Sequence, residues 1–387
     1  MEGPATSLVL RLFKDLPDPR ARNRSHLLSD IVTIGILATL CGSEGWEEIA
    51  EWAEFHEDWL RTFLPLRAGI PSHDTIDDVF KRLDPDAFEK CFMTWTAALV
   101  EASGERGHGG RLIAIDGKAL RHSFDHAWSR TPIHLVSAFL AQNQLVLGQI
   151  KVDSKENEIV AIPRLLELLD LRRTTVTIDA MGCQKEIAAQ IREKKGHYVL
   201  ALKENQKLLY DAVEKTFAEA RLEKFAGWKH DYVQSIEAGH GRIETRRVWV
   251  TREIKPIKEA EDWTDLCGIV MVESIRDVTG KGATSEQRYY ITSHKKLDAP
   301  MLADAIRSHW KIENQEHHVL DTTMHEDDCR IRKGNGPENF ARLRRIALNQ
   351  LRKVKVIRKG KEKRLSLRLK RKRCSWDHNL LLSAILA

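Results

Sequence analysis

Leu112-Ile113-Ala114-Ile115-Asp116-Gly117-Lys118 is an apolar run that ends in a carboxylate. Its aliphatic residues suit a buried strand over 113–116, and Gly117 allows the backbone to turn directly after the acid. Asp116 then sits ionised and rigidly held at a strand end, with Lys118 nearby. Taken alone, the run is also a plain buried strand closed by a turn-forming Asp-Gly. A second stretch changes the balance. Thr177-Ile178-Asp179-Ala180 again carries an apolar strand into an acid followed by a small residue. If the two strands are neighbours, both carboxylates emerge at one edge of one sheet.

The order of elements around these acids gives the fold class. Apolar positions recur at helical spacing over 26–41, 46–63 and 73–83, and Asp84-Pro85 opens a fourth helix running to about Ala102. Ser72 is placed to cap the third. Short helices of this kind can form a DNA reader, yet the third carries Asp74, Asp77 and Asp78 where a reading helix needs basic groups. Residues 104–110 are glycine-rich and read as a linker. Strands are then expected at 113–116, 133–141 and 144–152, with Gln142-Asn143 as a hairpin turn. A helix at 158–169, a strand at 175–179, a helix at 184–194, a strand at 198–202 and a long helix from about Asn205 follow. That order matches the mixed sheet of ribonuclease H-like nucleases, in which the first and fourth strands lie side by side. Strands at 246–251, 266–276 and 288–292 read as a largely antiparallel insertion, and helical periodicity resumes from Pro300 through Asn314. The expected organisation is a helical N-terminal domain over 1–104, a ribonuclease H-like α/β domain over 105–350 with a β-rich insertion at about 228–293, and a basic segment over 351–387.

Composition narrows the class. Hydrophobic residues make up 42% and charged residues 30% of the 387, which is ordinary for a soluble globular chain of two or three domains. The net charge of +6 is unevenly placed: 352–373 holds thirteen Lys or Arg against Glu362 alone, so this segment is +12 and the remainder is −6. So dense a run is either a solvated tail or a contact for phosphate backbones, and Lys370, Arg371, Lys372 and Arg373 are its core. Six scattered cysteines without a C-x-x-C pair argue against a disulfide framework or zinc knuckle and for a reducing compartment. Without a leader pattern, and with the apolar run 31–41 too short to span a bilayer, a cytoplasmic protein with no membrane association is expected.

Two carboxylates with few counter-charges repel one another, and a pair of hard divalent cations relieves the repulsion through oxygen ligands. A third acid completes such a shell, and Glu313 on the late helix can supply it. Sixty-two residues separate the first two acids and 133 separate the second from the third, which leaves room for the insertion. Two metals held this way can activate a water or 3′-hydroxyl and stabilise a leaving 3′-oxygen in an in-line displacement at phosphorus.

At this point a family resemblance is visible. The chain resembles the insertion-sequence transposases of the ISAs type, which include the H-repeat-associated proteins found beside Rhs elements, within the DDE transposase superfamily. The similarity runs from Asp18-Pro19-Arg20 to about Asn349. It includes Cys41-Gly42, Gly69-Ile70-Pro71-Ser72-His73-Asp74-Thr75, Ile115-Asp116-Gly117-Lys118 and Asn157-Glu158-Ile159. It continues through Thr177-Ile178-Asp179-Ala180-Met181-Gly182-Cys183-Gln184, Leu202-Lys203-x-Asn205-Gln206, Gly239-His240-Gly241-Arg242 and His309-Trp310-x-Ile312-Glu313-Asn314. The number and order of these segments make the resemblance specific. It implies Mg²⁺, with Mn²⁺ as a substitute, DNA strand cleavage and strand transfer, a homodimer in the DNA complex, and Asp116, Asp179 and Glu313 as the three catalytic, metal-binding acids. Asp321, Glu326 and Asp327 follow closely as rivals for the third place. Related hairpin-forming transposases place a Tyr, an Arg and a Lys around the glutamate. Ile306, His309 and Leu320 stand there, so that way of handling DNA ends is not carried over.

The sequence also departs from the closer family. Glu156 stands where Ser is expected, and Glu316, His318, Thr322 and Met324 replace Leu, Trp, Val and Phe. These polar changes motivate a second reading, a DNA-binding protein descended from a transposase and no longer catalytic. A third, a glycoside hydrolase built on the paired acids, has no support from the basic tail.

Several residues keep two readings. Lys203, Asn205 and Gln206 follow a strand and either touch DNA phosphates or begin a capped helix. Arg242 in Gly239-His240-Gly241-Arg242 is a phosphate contact or part of a plain turn. Lys118 is a candidate DNA contact. Asn157 and Glu158 are groups supporting the site or merely a helix N-terminus, and Gln184 is likewise a substrate contact or a helix start. His309, Glu313 and His317 share a helix face, with His318, His325 and Cys329 nearby, but no closed set of zinc ligands is evident.

Overall fold

The computed structural model describes the chain apart from residues 1–12, 14, 21–23, 103–109, 124–131, 153–156, 240, 281, 359 and 387. Most of the expected linker, together with Glu156 and His240, lies outside the described residues. The N-terminal helices are α1 (Leu28–Cys41), α2 (Trp46–Phe55), the single turn α3 (Glu57–Leu60), α4 (His73–Arg82) and α5 (Pro85–Ala102). Ser72 caps α4 by accepting the Thr75 N–H. The one helix expected over 46–63 is broken at His56, where the backbone leaves helical geometry and the ring Nδ1 lies 2.7 Å from the Trp52 carbonyl. Among the described residues no single helix is long and apolar enough to cross a membrane. The apolar α1 is a core helix instead, with Ile31, Val32, Ile34, Ile36, Leu37 and Leu40 fully buried.

The next elements are β1 (Arg111–Leu120), β2 (Ile133–Leu140), β3 (Leu145–Val152), α6 (Glu158–Leu168), β4 (Thr174–Ile178), α7 (Lys185–Glu193), β5 (His197–Leu202) and α8 (Lys207–Leu222). Then come β6 (His230–Gly239), β7 (Arg242–Thr251), β8 (Gly268–Val278), β9 (Gly282–Thr292) and α9 (Ala299–His309). A π-helical turn over Ile312–His317, α10 (His318–Thr322), α11 (Gly336–Lys353), a small hairpin of β10 (Ile357–Arg358) and β11 (Lys361–Glu362), α12 (Leu367–Cys374) and α13 (His378–Leu386) complete the chain.

One nine-stranded sheet organises the molecule, in the order β3-β2-β1-β4-β5-β9-β8-β7-β6. β1, β4 and β5 run parallel, and the other pairings are antiparallel. The first five strands have the ribonuclease H-like order, with β1 beside β4. Two expectations need correction, and the sequence leaves a third point open. β1 continues through Leu120 because β2 pairs with it as far as Leu120↔Ile133, so Gly117 lies inside a strand rather than in a turn. The β-rich insertion contains a fourth strand, β6, whose mostly exposed residues give little apolar alternation. It also extends the same sheet, because β9 pairs with β5 from Val199↔Thr292 to Leu202↔Tyr289.

The two faces of β1 bury different partners. Ile113 and Ile115 pack with Ala161, Ile162 and Leu165 of α6 and with residues of α7 and α8. On the other face Leu112 meets Leu302, Ala305 and Ile306 of α9, and Ala114 joins the core formed by α1–α5 and α11–α13. In that core Trp46 stacks on Phe80 with centroids 4.9 Å apart and meets Phe340 of α11 edge-on.

Candidate active site

Parallel pairing of β1 with β4 ends at Ile115↔Ile178. Asp116 and Asp179 are the next residue on each strand, so the two acids stand side by side where the pairing stops, on strands ~4.8 Å apart. The Asp179 turn is tightly held. Its Oδ1 accepts the Met181 N–H at 3.1 Å and the Gly182 N–H at 3.3 Å, and Asn205 donates its side-chain amide to the Ala180 carbonyl at 2.7 Å.

Glu313 reaches this edge from the π-helical turn that follows α9. The sequence predicts unbroken helix here, whereas the structure widens the turn at the acid, a local change that often marks functional positions. Glu313 is exposed. Its rivals are engaged elsewhere: Lys118 Nζ lies 2.7 Å from Asp321 and 2.9 Å from Asp327, and Arg345 bonds Glu326 at 2.7 Å.

Burial pushes the Asp116 carboxyl up to about 7, against the pull of the Gly117 N–H, and the charges of Asp179, Glu313 and Glu158 push it further the same way. Asp179 is also raised, by burial first and by the charge of Glu158, while backbone N–H groups and Lys203 oppose the shift. His317 Nδ1 lies 3.6 Å from Asp116 Oδ2, but burial depresses that imidazole to about 3, so it brings no positive charge. Among the described residues no lysine or arginine is within ion-pair distance of either aspartate. The donors are all oxygen, negative and short of counter-charge, which fits a hard divalent cation. As the side chains stand, no group of three or more His, Cys, Asp or Glu among the described residues is arranged to hold a metal ion, so the acids would have to draw together around one. The histidine face makes no zinc site either: His309 Nδ1 lies 3.1 Å from Thr177 Oγ1, and no group of three metal-ligating side chains is found among the described residues.

The expected DNA contacts divide into two sets. Lys203 is exposed beside Asp179, Arg242 is exposed at the β6–β7 turn beside Glu244, and Lys372 is exposed on α12, where Arg373 is half-buried. Lys118 is buried among three carboxylates, Asn205 braces the Asp179 turn, and Lys370 Nζ bonds the Leu351 carbonyl. Arg371 is buried and its guanidinium holds the Thr39 and Thr323 carbonyls and the Glu44 carboxylate. Lys118 and Arg371 are thus internal, Lys370 and Arg371 being turned inward because the tail folds back as a helix on α1, while Asn205 braces its turn from an exposed position. Sequence reasoning missed His134, which binds Glu158 at 2.8 Å, and Arg345, which is fully buried between Glu316 and Glu326. For Arg345 the one visible signal was an unmatched acid at 316.

Comparison with known proteins identifies the family. Residues 10–96 match the family model described as DDE_Tnp_1-associated, and residues 107–350 match the Transposase DDE domain. "Putative transposase YncI" of Escherichia coli O157:H7 is 41% identical over 93% of this chain and 92% of its own length. "H repeat-associated putative transposase YhhI" of Escherichia coli K12 is 39% identical over 96% of this chain and 95% of its own. A solved piggyBac transposase synaptic complex with hairpin DNA aligns over 98% of this chain and 79% of that one, at a TM-score of 0.40 and 11% identity. With its central sheet, its paired edge aspartates and full-length relatives of this kind, the chain belongs to the DDE transposase family.

Proposed function

We propose that this protein is an insertion-sequence transposase that cuts DNA strands at the ends of its element and joins them to a new site. Asp116, Asp179 and Glu313 are its catalytic acids, and Mg²⁺ is the working ion, with Mn²⁺ able to replace it. The observation that carries this reading is the emergence of Asp116 and Asp179 where the parallel pairing stops, with Glu313 arriving from α9. Divalent ions bound there would activate a water or 3′-hydroxyl and stabilise the leaving 3′-oxygen. The chain's own residues supply the rest. Backbone N–H groups fix the Asp179 carboxylate, Asn205 holds its loop, and Lys203 offers a cation to the phosphate being cut.

A groove of about 1070 Å³ between the β insertion and α9 leads to Glu313, and its lining includes Arg246, Arg276, Arg288, Trp310 and Lys311. Arg288, which is paired with Glu286, lies over the Trp310 ring at 5.0 Å, and the groove as a whole sets six basic side chains against Glu237, Glu244, Glu286 and Asp304, a mildly cationic and aromatic lining suited to a nucleic-acid strand. Joining two element ends in one reaction requires both to be held together, so a homodimer is part of this reading, as is action on DNA in the cytoplasm. The non-catalytic reading loses its motive at Glu316, because Arg345 receives that acid in the core.

The test is cleavage of a supercoiled plasmid carrying the DNA that flanks the gene, with and without Mg²⁺, by wild-type protein and Asp116→Asn. Metal-dependent cuts at the element ends, absent in the variant while DNA binding persists, are expected. Binding without cuts in either protein would move the chain to the non-catalytic reading.

A further inference from the structure

The three acids are not the whole carboxylate cluster. Glu158 opens α6, is 8% exposed, and has its carboxylate seated on Gly117, the residue after Asp116. A Cβ added at Gly117 would lie 2.0 Å from Glu158 Oε1 and 2.4 Å from its carboxyl carbon. Gly117 is paired with Val136 inside β1, so it serves no turn, and the close approach of Glu158 is what excludes a side chain there.

The start of α6 is fixed independently. Asn157 caps it by accepting the Ile159 N–H at 3.1 Å, and His134 of β2 holds Glu158 Oε1 at 2.8 Å. α6 packs on the Ile113 and Ile115 face of β1, whereas α9 packs on the Leu112 face. Glu158 and Glu313 therefore approach the aspartates from opposite faces of the sheet. The charge of Glu158 acts on both Asp116 and Asp179.

We propose that Glu158 is a fourth carboxylate of the metal site, oriented by His134 and given room by Gly117. This rests on the metal-dependent reading of the site. It is tested by Mn²⁺ binding to the full-length protein, followed by calorimetry and by the electron paramagnetic resonance of free Mn²⁺, with no turnover required. Wild type, Glu158→Gln, Gly117→Ala and Asp116→Asn are compared, with metal-free thermal melts as the folding control.

Glu158→Gln keeps an oxygen to accept from His134, and Gly117→Ala keeps every acid but displaces the Glu158 carboxylate. Both should weaken Mn²⁺ binding by ~10-fold or more, or lose one ion, without lowering the metal-free Tm. If Glu158→Gln melts early, Gly117→Ala decides. Wild-type Mn²⁺ binding by these two variants, beside weakened binding by Asp116→Asn, overturns the role of Glu158 and leaves the three-acid site standing. Wild-type protein that takes up no Mn²⁺, alone or with DNA, overturns the metal-dependent reading and this proposal together.

Discussion

At Asp116, burial and neighbouring acids raise the carboxyl to about 7, so near neutrality it is shared between two protonation states. The folded pKa exceeds the unfolded value of about 3.9, so ionising Asp116 works against the folded state. Without metal, its contribution to stability is therefore lost as pH rises from about 4 through 7. A metal needs the carboxylate, so its binding must expel the proton held there. Mn²⁺ affinity should rise by up to ~10-fold per pH unit below pH 7 and level off above it, with proton release on binding at pH 6. Calorimetry in buffers of different ionisation enthalpy measures both, and a flat profile with no release would remove Asp116 from the ligands. Asp116→Asn should also raise metal-free stability at pH 8 by on the order of 1–2 kcal/mol while abolishing cleavage, because it removes the repulsion. A denaturant midpoint equal to or below wild type would contradict that.

Between elements, a buried ionic chain ties the strand of Asp116 to the turn of Glu313. Lys118 in β1 contacts Asp321, Asp327 and, at 3.6 Å, Glu326, which Arg345 of α11 joins to Glu316 of the π-helical turn. Both side chains of the Arg345–Glu316 pair are 0% exposed. Removing one partner leaves a charge without compensation, so Arg345→Met should destabilise the fold by ~3–5 kcal/mol. The double change Arg345→Met with Glu316→Leu should recover much of that loss, although Glu326 also loses a partner. Urea midpoints for the two proteins decide the matter. A single variant within ~0.5 kcal/mol of wild type would show that the pair does not hold this turn.

Across the whole molecule, the cores do not follow the chain order. α11 and α12 pack on α1, and Asn339 of α11 donates to the Phe80 and Leu83 carbonyls at 2.8 and 3.0 Å. The helical region before residue 104 and the chain after 350 thus share apolar residues from Phe13 to Ile385. Ending the chain at Leu365 would remove Arg371 and Cys374 from that core and expose part of α1. Such a truncation should be poorly soluble or melt well below the full chain. A soluble truncated protein with an unchanged Tm would show that the tail is dispensable for folding.

The sequence by itself determined the strand-helix order up to β5 and α8, the placing of Asp116 and Asp179 after apolar strand residues, and the cap at Ser72, because alternation, apolar runs and capping side chains are local signals. It also carried the family resemblance through motifs spread along the chain. Only the tertiary structure decided that β1 runs past Gly117, that the insertion joins the same sheet through β9, and that Arg371 belongs to the interior. It likewise brought Glu158, His134 and Arg345 to the neighbourhood of the acids. Those outcomes depend on partners far away in the chain. A charged residue reads as solvent-facing from its own neighbours, and only a carboxylate or carbonyl delivered by another element makes its burial affordable.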